Sequence, residues 1–407
     1  MSLPILNITS QLAREPLPVT GEPQVAFLLV EVRASEALAV APPLPLNLAL
    51  VVDHSGSMRG PRLQHMKAAL QHLIDHLTPD DILTIVTFDD TVDLPVPAGP
   101  VTDPAALHNA VEMIEDGGGT AMALGLSLGL SELRHHVAPN RLSRMIVLTD
   151  GASGDDASQC LQLAGEAGAE GIAILPMGFG AEWDDAQLEA IGAQSGGEPP
   201  EYVRAPADIG QSFMRQLRAA QAVKVPSLAL DIRFVAGVTP RRVTRVTPFL
   251  RAVDASINER TVSVALGDLE HDAPQSLLIE LLIEPKRGGT FRIAQIESSS
   301  HAALDGVIVR SDVVVTFSGS ASKRPQMRPV VLHYVERVNA ARIVLRALEE
   351  AKNEPSTIAP SVLRLFDAEG REQLECLRAG LPLSPEGHKI LLAKVRGLTR
   401  IRRQATL

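Results

Sequence analysis

Three oxygen-bearing side chains occur at alternate positions in the stretch LVVDHSGSM, residues 50–58. They are Asp53, Ser55 and Ser57, and they follow an apolar run. Such residues serve in four settings: a catalytic nucleophile with its base, a phosphate-binding loop, a metal site, or a strand that ends in an ordinary turn. The surrounding sequence discriminates between these settings.

Neither a hydrolytic nucleophile nor a phosphate loop fits this stretch. Asp53, His54 and Ser55 are the residue types of a catalytic triad, but consecutive strand residues point to opposite faces and cannot bond in line. Asp53 also stands where a nucleophile elbow needs glycine, two residues before Ser55. The glycine-rich stretch GGGTAMALG, residues 117–125, lacks the lysine of a P-loop. We therefore expect no enzymatic activity here.

A site for a hard divalent cation agrees better with the predicted elements. The run LNLALVVD, residues 46–53, is typical of a strand buried on both faces, and residues 61–77 predict an amphipathic helix. Open α/β sheets bind ligands at the carboxyl ends of their strands. Carboxylate and hydroxyl oxygens suit Mg²⁺ or Mn²⁺, so further oxygen ligands must come from neighbouring strand ends.

Two further motifs supply such oxygens. In EDGGGTAMALGL, Thr120 follows three glycines and precedes a helix of small residues. In RMIVLTDGASG, Asp150 ends another apolar strand and precedes a glycine turn. The pattern predicts that three loops meet at one edge of the sheet with two carboxylates and three hydroxyls. Asp89 and Asp90 also follow a strand, and they are either residues at the rim of this face or ordinary loop acids.

The chain divides into four segments. Residues 46–222 alternate apolar strand runs with helical patterns, which predicts an α/β domain with a doubly wound, mainly parallel sheet. Residues 223–320 carry short β-rich runs separated by Gly, Pro and Asp, which predicts an antiparallel β-sandwich. Residues 326–407 predict a C-terminal helical bundle. Residues 1–45 hold one clear strand, 24–34; because no partner is evident before it, we expect this segment to contribute to the β-sandwich.

The order of the motifs resembles the von Willebrand factor A (VWA) domain in its bacterial intracellular type. A D-x-S-x-S motif, a Gly-rich loop with Thr and a T-D-G motif carry the resemblance, and residues 177–203, MGFGAEWDDAQLEAIGAQSGGEPPEYV, are similar to the family's last strand and helix. The resemblance covers residues 46–222 and implies a complete metal-ion-dependent adhesion site (MIDAS) for Mg²⁺, Mn²⁺ or Ca²⁺. The implied ligands are Asp53, Ser55, Ser57, Thr120 and Asp150.

The resemblance also implies a role for each ligand. Ser55 and Ser57 bind the ion directly, Thr120 binds it directly or through water, and Asp53 and Asp150 act mostly through water. Because two acids leave a divalent cation under-neutralised, the remaining coordination position favours a carboxylate. A protein partner is expected to supply it from an Asp or Glu side chain.

These expectations describe a non-enzymatic module that binds a protein partner through its metal in a cytoplasmic assembly. The family resemblance suggests one specific form, an adaptor for an AAA+ ATPase of the MoxR type. The alternative is a structural or scaffold component that binds through its sandwich and helices without need of metal. Binding that is insensitive to a chelator would favour this alternative.

Composition limits the classes of partner and compartment. The chain has 407 residues, a net charge of −10 and 45% apolar residues, as in a globular protein of several domains that binds neither nucleic acid nor anionic membrane. Its N-terminal sequence lacks a basic start with a continuous apolar core, and no apolar run approaches the ~20 residues of a membrane span. With only Cys160 and Cys376, far apart in sequence, these features predict a reduced, cytoplasmic compartment.

Overall fold

The structure, a computed structural model, falls into two compact units. One is Pro42–Pro226, and the other combines Met1–Ala41 with Ser227–Leu407. The structure describes residues 6–39, 42–151, 156–253, 256–258, 260–271, 273–299, 308–319, 325–350 and 358–398. The unit Pro42–Pro226 carries the five residues predicted to bind metal.

The N-terminal segment contains a pair of antiparallel strands. Its elements are β1 Leu6–Leu12, β2 Arg14–Glu15, β3 Leu17–Pro18, β4 Gln24–Ala34 and the helix α1 Glu36–Ala39. β1 pairs with β4 along its whole length, with Leu6 opposite Ala34 and Leu12 opposite Leu28. The expectation that no strand precedes residues 24–34 is therefore wrong. Only the two ends of β1 are buried, so its sequence lacks the apolar run that marks a strand.

A six-stranded sheet forms the centre of the unit Pro42–Pro226. Its strands are β5 Leu46–Asp53, β6 Ile82–Phe88, β7 Val92–Pro100, β8 Leu142–Thr149, β9 Ala173–Phe179 and β10 Glu201–Val203. They lie in the order β10-β9-β8-β5-β6-β7, and among them only β7 runs antiparallel to its neighbour. Every residue of β5, β6, β8 and β9 is buried, as their continuous apolar runs predict.

Helices cover both faces of this sheet. They are α2 Pro61–Ile74, α3 Pro104–Glu112, α4 Met122–Arg134, α5 Ala157–Ala169, α6 Asp185–Gln194 and α7 Ile209–Ala222. Leu48 and Leu50 of β5 share a core with α2, α3 and α7. Ala49 and Val51 share the opposite core with α4, α5 and α6. Because successive strand residues point to opposite faces, one strand supports both layers, and the sheet is doubly wound.

Helix α4 packs close to the sheet because it carries glycine at two inward positions. A Cβ atom added to Gly125 would lie 2.8 Å from Phe88 Cδ1, and one added to Gly129 would lie 2.7 Å from Val51 Cγ2. Both distances are shorter than ordinary van der Waals contacts, so a larger residue would push the helix outward. The close packing fixes the start of α4 and, with it, the end of the loop that contains Thr120.

The strands that follow α7 form two further, mainly antiparallel sheets, except β19, which pairs with β2 in a separate two-stranded sheet. They are β11 Val223–Phe234, β12 Val238–Thr247, β13 Arg251–Ala252, β14 Ser256–Asn258, β15 Thr261–Glu270, β16 Gln275–Ile283, β17 Gly289–Ser299, β18 Val309–Ser318 and β19 Gln326–Met327. One sheet has the order β1-β4-β16-β12-β13 and the other β14-β15-β11-β17-β18-β3. β4 pairs with β16, placing Leu28 opposite Ile279. The strand at residues 24–34 thus lies inside a sheet built largely from the later segment.

The last helices form a layer on the sheet that contains β4. They are α8 Pro329–Glu350, α9 Pro360–Leu363, α10 Ala368–Arg378 and α11 Pro385–Arg396. Val331, Tyr334 and Val338 of α8 share a core with Leu29 and Leu278 of the sheet. In the part of the chain that the structure describes, no helix is both long and apolar enough to cross a bilayer. The predicted fold class, α/β with additional antiparallel sheets and C-terminal helices, is confirmed.

Candidate metal centre

The loops after β5 and β8 bring three of the predicted ligands into direct contact. Ser55 Oγ lies 2.9 Å from Ser57 Oγ, and the Ser57 hydroxyl donates to Asp150 Oδ1 at 2.6 Å. Ser55 and Asp150 are buried, whereas Ser57 is exposed. The result is a continuous chain of hydroxyl, hydroxyl and carboxylate at the carboxyl edge of the parallel sheet.

Asp53 lies beneath this chain and shapes the loop. It is fully buried; its Oδ1 accepts a hydrogen bond from the Ser55 N–H at 2.9 Å, and its Oδ2 accepts one from the Thr149 hydroxyl at 2.8 Å. Burial raises the pKa of the Asp53 carboxyl, although the bonds from Ser55 and Thr149 act in the opposite direction. A carboxylate whose charge is disfavoured by burial would be stabilised by a nearby cation.

The loop that carries Thr120 is bonded to the Asp53–Ser57 loop through its backbone. The Gly56 N–H donates to the Gly118 carbonyl at 3.0 Å, and the Gly117 N–H donates to the His54 carbonyl at 2.8 Å. Thr120 itself is half-buried. A Cβ atom added to Gly151, next to Asp150, would lie 3.5 Å from Thr120 Oγ1, so the Thr120 loop also adjoins the third loop.

Asp89 organises the Thr120 loop from outside the predicted ligand set. Its Oδ2 accepts the Gly118 N–H at 2.8 Å, and its carbonyl accepts the Ala121 N–H at 2.6 Å. A Cβ atom at Gly117 would lie 2.0 Å from Asp89 Oδ2, and one at Gly118 would lie 2.1 Å from Asp90 Oδ2. The three glycines therefore make room for these two acids. Of the two readings of Asp89 that the sequence left open, neither included this supporting role.

The pKa of Asp89 and the bonds of His54 fit the same supporting arrangement. Burial acts to raise the pKa of Asp89, but bonds from the Gly118 and Thr91 N–H groups outweigh it and hold the pKa below its ordinary value. His54 is only 8% exposed, and its Nδ1 lies 2.6 Å from the Glu115 carbonyl, to which it donates. Its ring therefore ties the first loop to the second and is not a ligand.

Arg62 contacts the site, and the sequence reading missed it. Its Nη1 donates to Asp150 Oδ2 at 2.8 Å and to the Ser57 carbonyl at 3.1 Å. Its guanidinium stacks over the Phe179 ring, with Cζ 5.1 Å from the centroid. One signal could have indicated it: Arg62 lies in the first turn of α2, where the helix dipole disfavours a cation unless an anion is close.

The donor set fits a hard divalent cation. The five predicted ligands offer only carboxylate and hydroxyl oxygens, and their three loops are bonded or packed against one another at one edge of the sheet. The hydroxyls of Ser55 and Ser57 can turn their lone pairs toward an ion while Asp53 and Asp150 accept bonds from them or from their backbone. This is the chemistry that Mg²⁺, Mn²⁺ or Ca²⁺ requires.

Comparison with protein families identifies this unit. Residues 47–216 match the family model of the von Willebrand factor type A domain. Residues 47–216 form a VWA domain. Domains of this family are generally interaction modules, and a set of oxygen ligands presented at the edge of the sheet agrees with that.

Two curated relatives match part of this chain. An uncharacterised protein of Synechocystis is 33% identical over 261 residues, which are 62% of this chain and 61% of that protein. Inter-alpha-trypsin inhibitor heavy chain H3 of Mesocricetus auratus is 30% identical over 167 residues, 38% of this chain and 19% of its own length. The chain thus spans less than two thirds of the length of these relatives.

Two solved structures share the fold over nearly the whole chain. A von Willebrand factor type A protein from Catenulispora acidiphila has a TM-score of 0.74 and 18% identity, covering 96% of both chains. The ArnB paralog VWA2 from Sulfolobus acidocaldarius has a TM-score of 0.59 and 14% identity, covering 98% of this chain and 100% of its own. At these identities the likeness concerns the fold alone. It extends to the sheets and helices outside the VWA domain.

Proposed function

We propose that this protein binds a protein partner through a divalent cation held at the edge of its VWA sheet, and that it is not an enzyme. The observation that carries the proposal is the chain from Ser55 Oγ through Ser57 Oγ to Asp150 Oδ1, with distances of 2.9 and 2.6 Å, above the buried Asp53. The proposed ligands are Asp53, Ser55, Ser57, Thr120 and Asp150.

Each proposed ligand has a distinct part. Ser55 and Ser57 offer hydroxyl oxygens directly, and Thr120 does so directly or through water. Asp53 and Asp150 act mostly through water, and they orient the loop N–H and the Ser57 hydroxyl. When bound, Mg²⁺, Mn²⁺ or Ca²⁺ would supply a positively charged centre with a position open to an outside oxygen. Since both acids act mostly through water, they offset the charge of the ion only in part at its open position, and the set favours an Asp or Glu carboxylate from a partner.

The class of partner follows from charge and family. A net charge of −10 disfavours nucleic acid and anionic membrane as partners. The family resemblance favours a protein partner, which we place in a cytoplasmic assembly. Within that class we propose an AAA+ ATPase of the MoxR type as one form of the partner, on the family resemblance. The competing proposal is a scaffold that binds through its other sheets and helices independently of metal.

Affinity capture from the source cells tests the metal-dependent proposal. The full chain would be used as bait in Mg²⁺ and in chelator, with bound proteins identified by mass spectrometry. We expect a partner that is retained in Mg²⁺, is released by chelator and is lost with Ser55→Ala. Loss of a charge-assisted contact in a desolvated interface corresponds to about 2–5 kcal/mol of binding free energy.

A matched control variant distinguishes loss of the proposed metal site from the mere loss of one negative charge. Asp93 is an exposed acid on β7 of the same sheet, away from the predicted ligands in sequence. Asp93→Asn should retain the partner, whereas Asp53→Asn should not. Equal capture in Mg²⁺ and in chelator would reject the metal-dependent proposal and favour the scaffold.

A further inference from the structure

We propose that Arg62 weakens the hold of the VWA site on a cation and thereby makes firm binding depend on an anionic ligand. This inference rests on the proposed function, because it concerns the same site. It assigns to Arg62 a role in positioning and charge balance, without making it a metal ligand.

The contacts of Arg62 involve two of the five proposed ligands. Its Nη1 lies 2.8 Å from Asp150 Oδ2 and 3.1 Å from the Ser57 carbonyl oxygen. The other carboxylate oxygen of Asp150 accepts the Ser57 hydroxyl at 2.6 Å. The Asp150 side chain is only 2% exposed, so these two bonds account for both oxygens of a nearly buried carboxylate.

The guanidinium is held in place from a second side. It stacks on the Phe179 ring at 5.1 Å, while 43% of the Arg62 side chain remains exposed. Arg62 stands in the first turn of α2, where the helix dipole opposes a positive charge. Its position therefore depends on Asp150 and Phe179, and the charge is directed at the metal face by those contacts.

The charges of the two acids and of Arg62 determine how much positive charge a bound cation retains. Asp53 and Asp150 offer two negative charges, and the charge of Arg62 reduces the sum to one. A divalent cation then carries one uncompensated charge more than the acids alone would leave. A bound carboxylate would offset that charge, so the site with Arg62 favours an anion more strongly than the site without it.

The chain provides a matched control for this effect. Arg59 lies three positions before Arg62, in the segment that leads into α2, and its side chain is 73% exposed. Its Nε donates to Asp116 at 2.6 Å. Arg59 thus carries the same positive charge as Arg62, but it pairs with an acid outside the proposed ligand set.

Titration calorimetry with MnCl₂ on the full chain tests the inference. Arg62→Met should bind Mn²⁺ about tenfold more tightly than the wild type, since a partly screened unit charge close to the site is removed. Arg62→Gln should change the affinity in the same direction. Arg62→Lys, which keeps the charge, and Arg59→Met should stay near the wild-type value. Circular dichroism would confirm that each variant is folded.

The outcomes distinguish this inference from the proposed function. If wild type and Arg62→Met bind Mn²⁺ equally, or the variant binds more weakly, the role of Arg62 is overturned while the metal site stands. If neither binds Mn²⁺, the proposed function fails and the inference with it. Sodium acetate, compared with chloride at equal ionic strength, should tighten Mn²⁺ binding more in the wild type than in Arg62→Met; an equal effect would overturn the dependence on an anion.

Discussion

Asp53 holds a negative charge where little water reaches it. Both of its oxygens accept hydrogen bonds, from the Ser55 N–H and from the Thr149 hydroxyl, yet burial still raises its pKa above the ordinary value. The charged form is therefore disfavoured in the folded chain when no cation is near. Asp53 therefore favours cation binding. When no cation is bound, its buried charge lowers the stability of the folded chain.

Replacing Asp53 by asparagine should separate these two effects. Asp53→Asn should abolish Mn²⁺ binding, yet in chelator it should melt at the same or a higher temperature than the wild type. The amide can still accept from Ser55, and the Thr149 hydroxyl can accept from the amide while donating to the Gly151 carbonyl, 3.3 Å away. Calorimetry would measure binding, and thermal unfolding would measure stability.

The same comparison has a defined pH dependence. Because the pKa of Asp53 is raised in the folded chain, the folded form keeps this proton as the pH rises past 3.8, the ordinary value, while the unfolded chain releases it. The destabilisation by Asp53 is thus absent below that pH and appears as the pH rises through the folded pKa. The stability advantage of Asp53→Asn in chelator should grow from pH 4 to pH 7, and a constant difference would contradict this account.

Some site residues could be predicted from the sequence because the residues next to them in the chain identify them. Asp53 and Asp150 each end an apolar run, and the rule for strand ends then places their loops together. Arg62 and Asp89 were not accessible in this way. Arg62 lies 88 positions from its partner Asp150, and Asp89 lies 29 positions from Gly118. A single long side chain that reaches across loops leaves no periodicity to detect.

At the scale of elements, helix α4 can lie close to the sheet because its glycines have no side chains. Helix propensity alone favours alanine over glycine by about 1 kcal/mol, so two glycines in one helix require a packing reason. Gly129 supplies one, because its inward face lies against Val51 and Met145. The sequence showed a helix of small residues there, but the sheet side chains that require them become evident only in the structure.

A matched pair of substitutions tests this packing. Gly129→Ala should lower stability by about 1–3 kcal/mol, because overpacking against Val51 outweighs the gain in propensity. Gly165→Ala, in the exposed middle of α5, should raise it by about 0.5–1 kcal/mol, since a Cβ there meets only Gln194 Oε1 at 3.9 Å. Thermal unfolding of the two variants would show shifts of opposite sign; a stabilising Gly129→Ala would refute close packing.

At the scale of the whole molecule, the first strands belong to a sheet completed by the later segment. Deletion of residues 1–40 removes β1 and β4 and leaves β16 paired only with β12, on its other side. We expect rapid hydrogen exchange across the sandwich segment, residues 225–317, and above all in β16 and β12, while β5 and β8 of the VWA sheet stay protected. Unchanged exchange in 225–317 would contradict a structural role for the N-terminal strands.

Point variants on β4 sharpen that test. Val30 is fully buried and lies between Ser10 and Leu277, whereas Val25 of the same strand is 50% exposed. Val30→Asp should reproduce the increased exchange of the deletion, because it buries an unpaired charge. Val25→Asp should leave exchange close to the wild type. Equal effects of the two variants would indicate that β4 is not held by its buried side.

The pairing of β4 with β16 also joins two strands that the ribosome makes at very different times. Leu28 pairs with Ile279, and the difference of 279 − 28 is 251 positions. At the usual speed of translation, about 5–20 residues per second, β4 waits roughly ten to fifty seconds for its neighbour to be made. The complete VWA domain leaves the ribosome within that interval and can fold first. Throughout it, the apolar side of β4, with Leu28, Val30 and Val32, is an exposed target for chaperones.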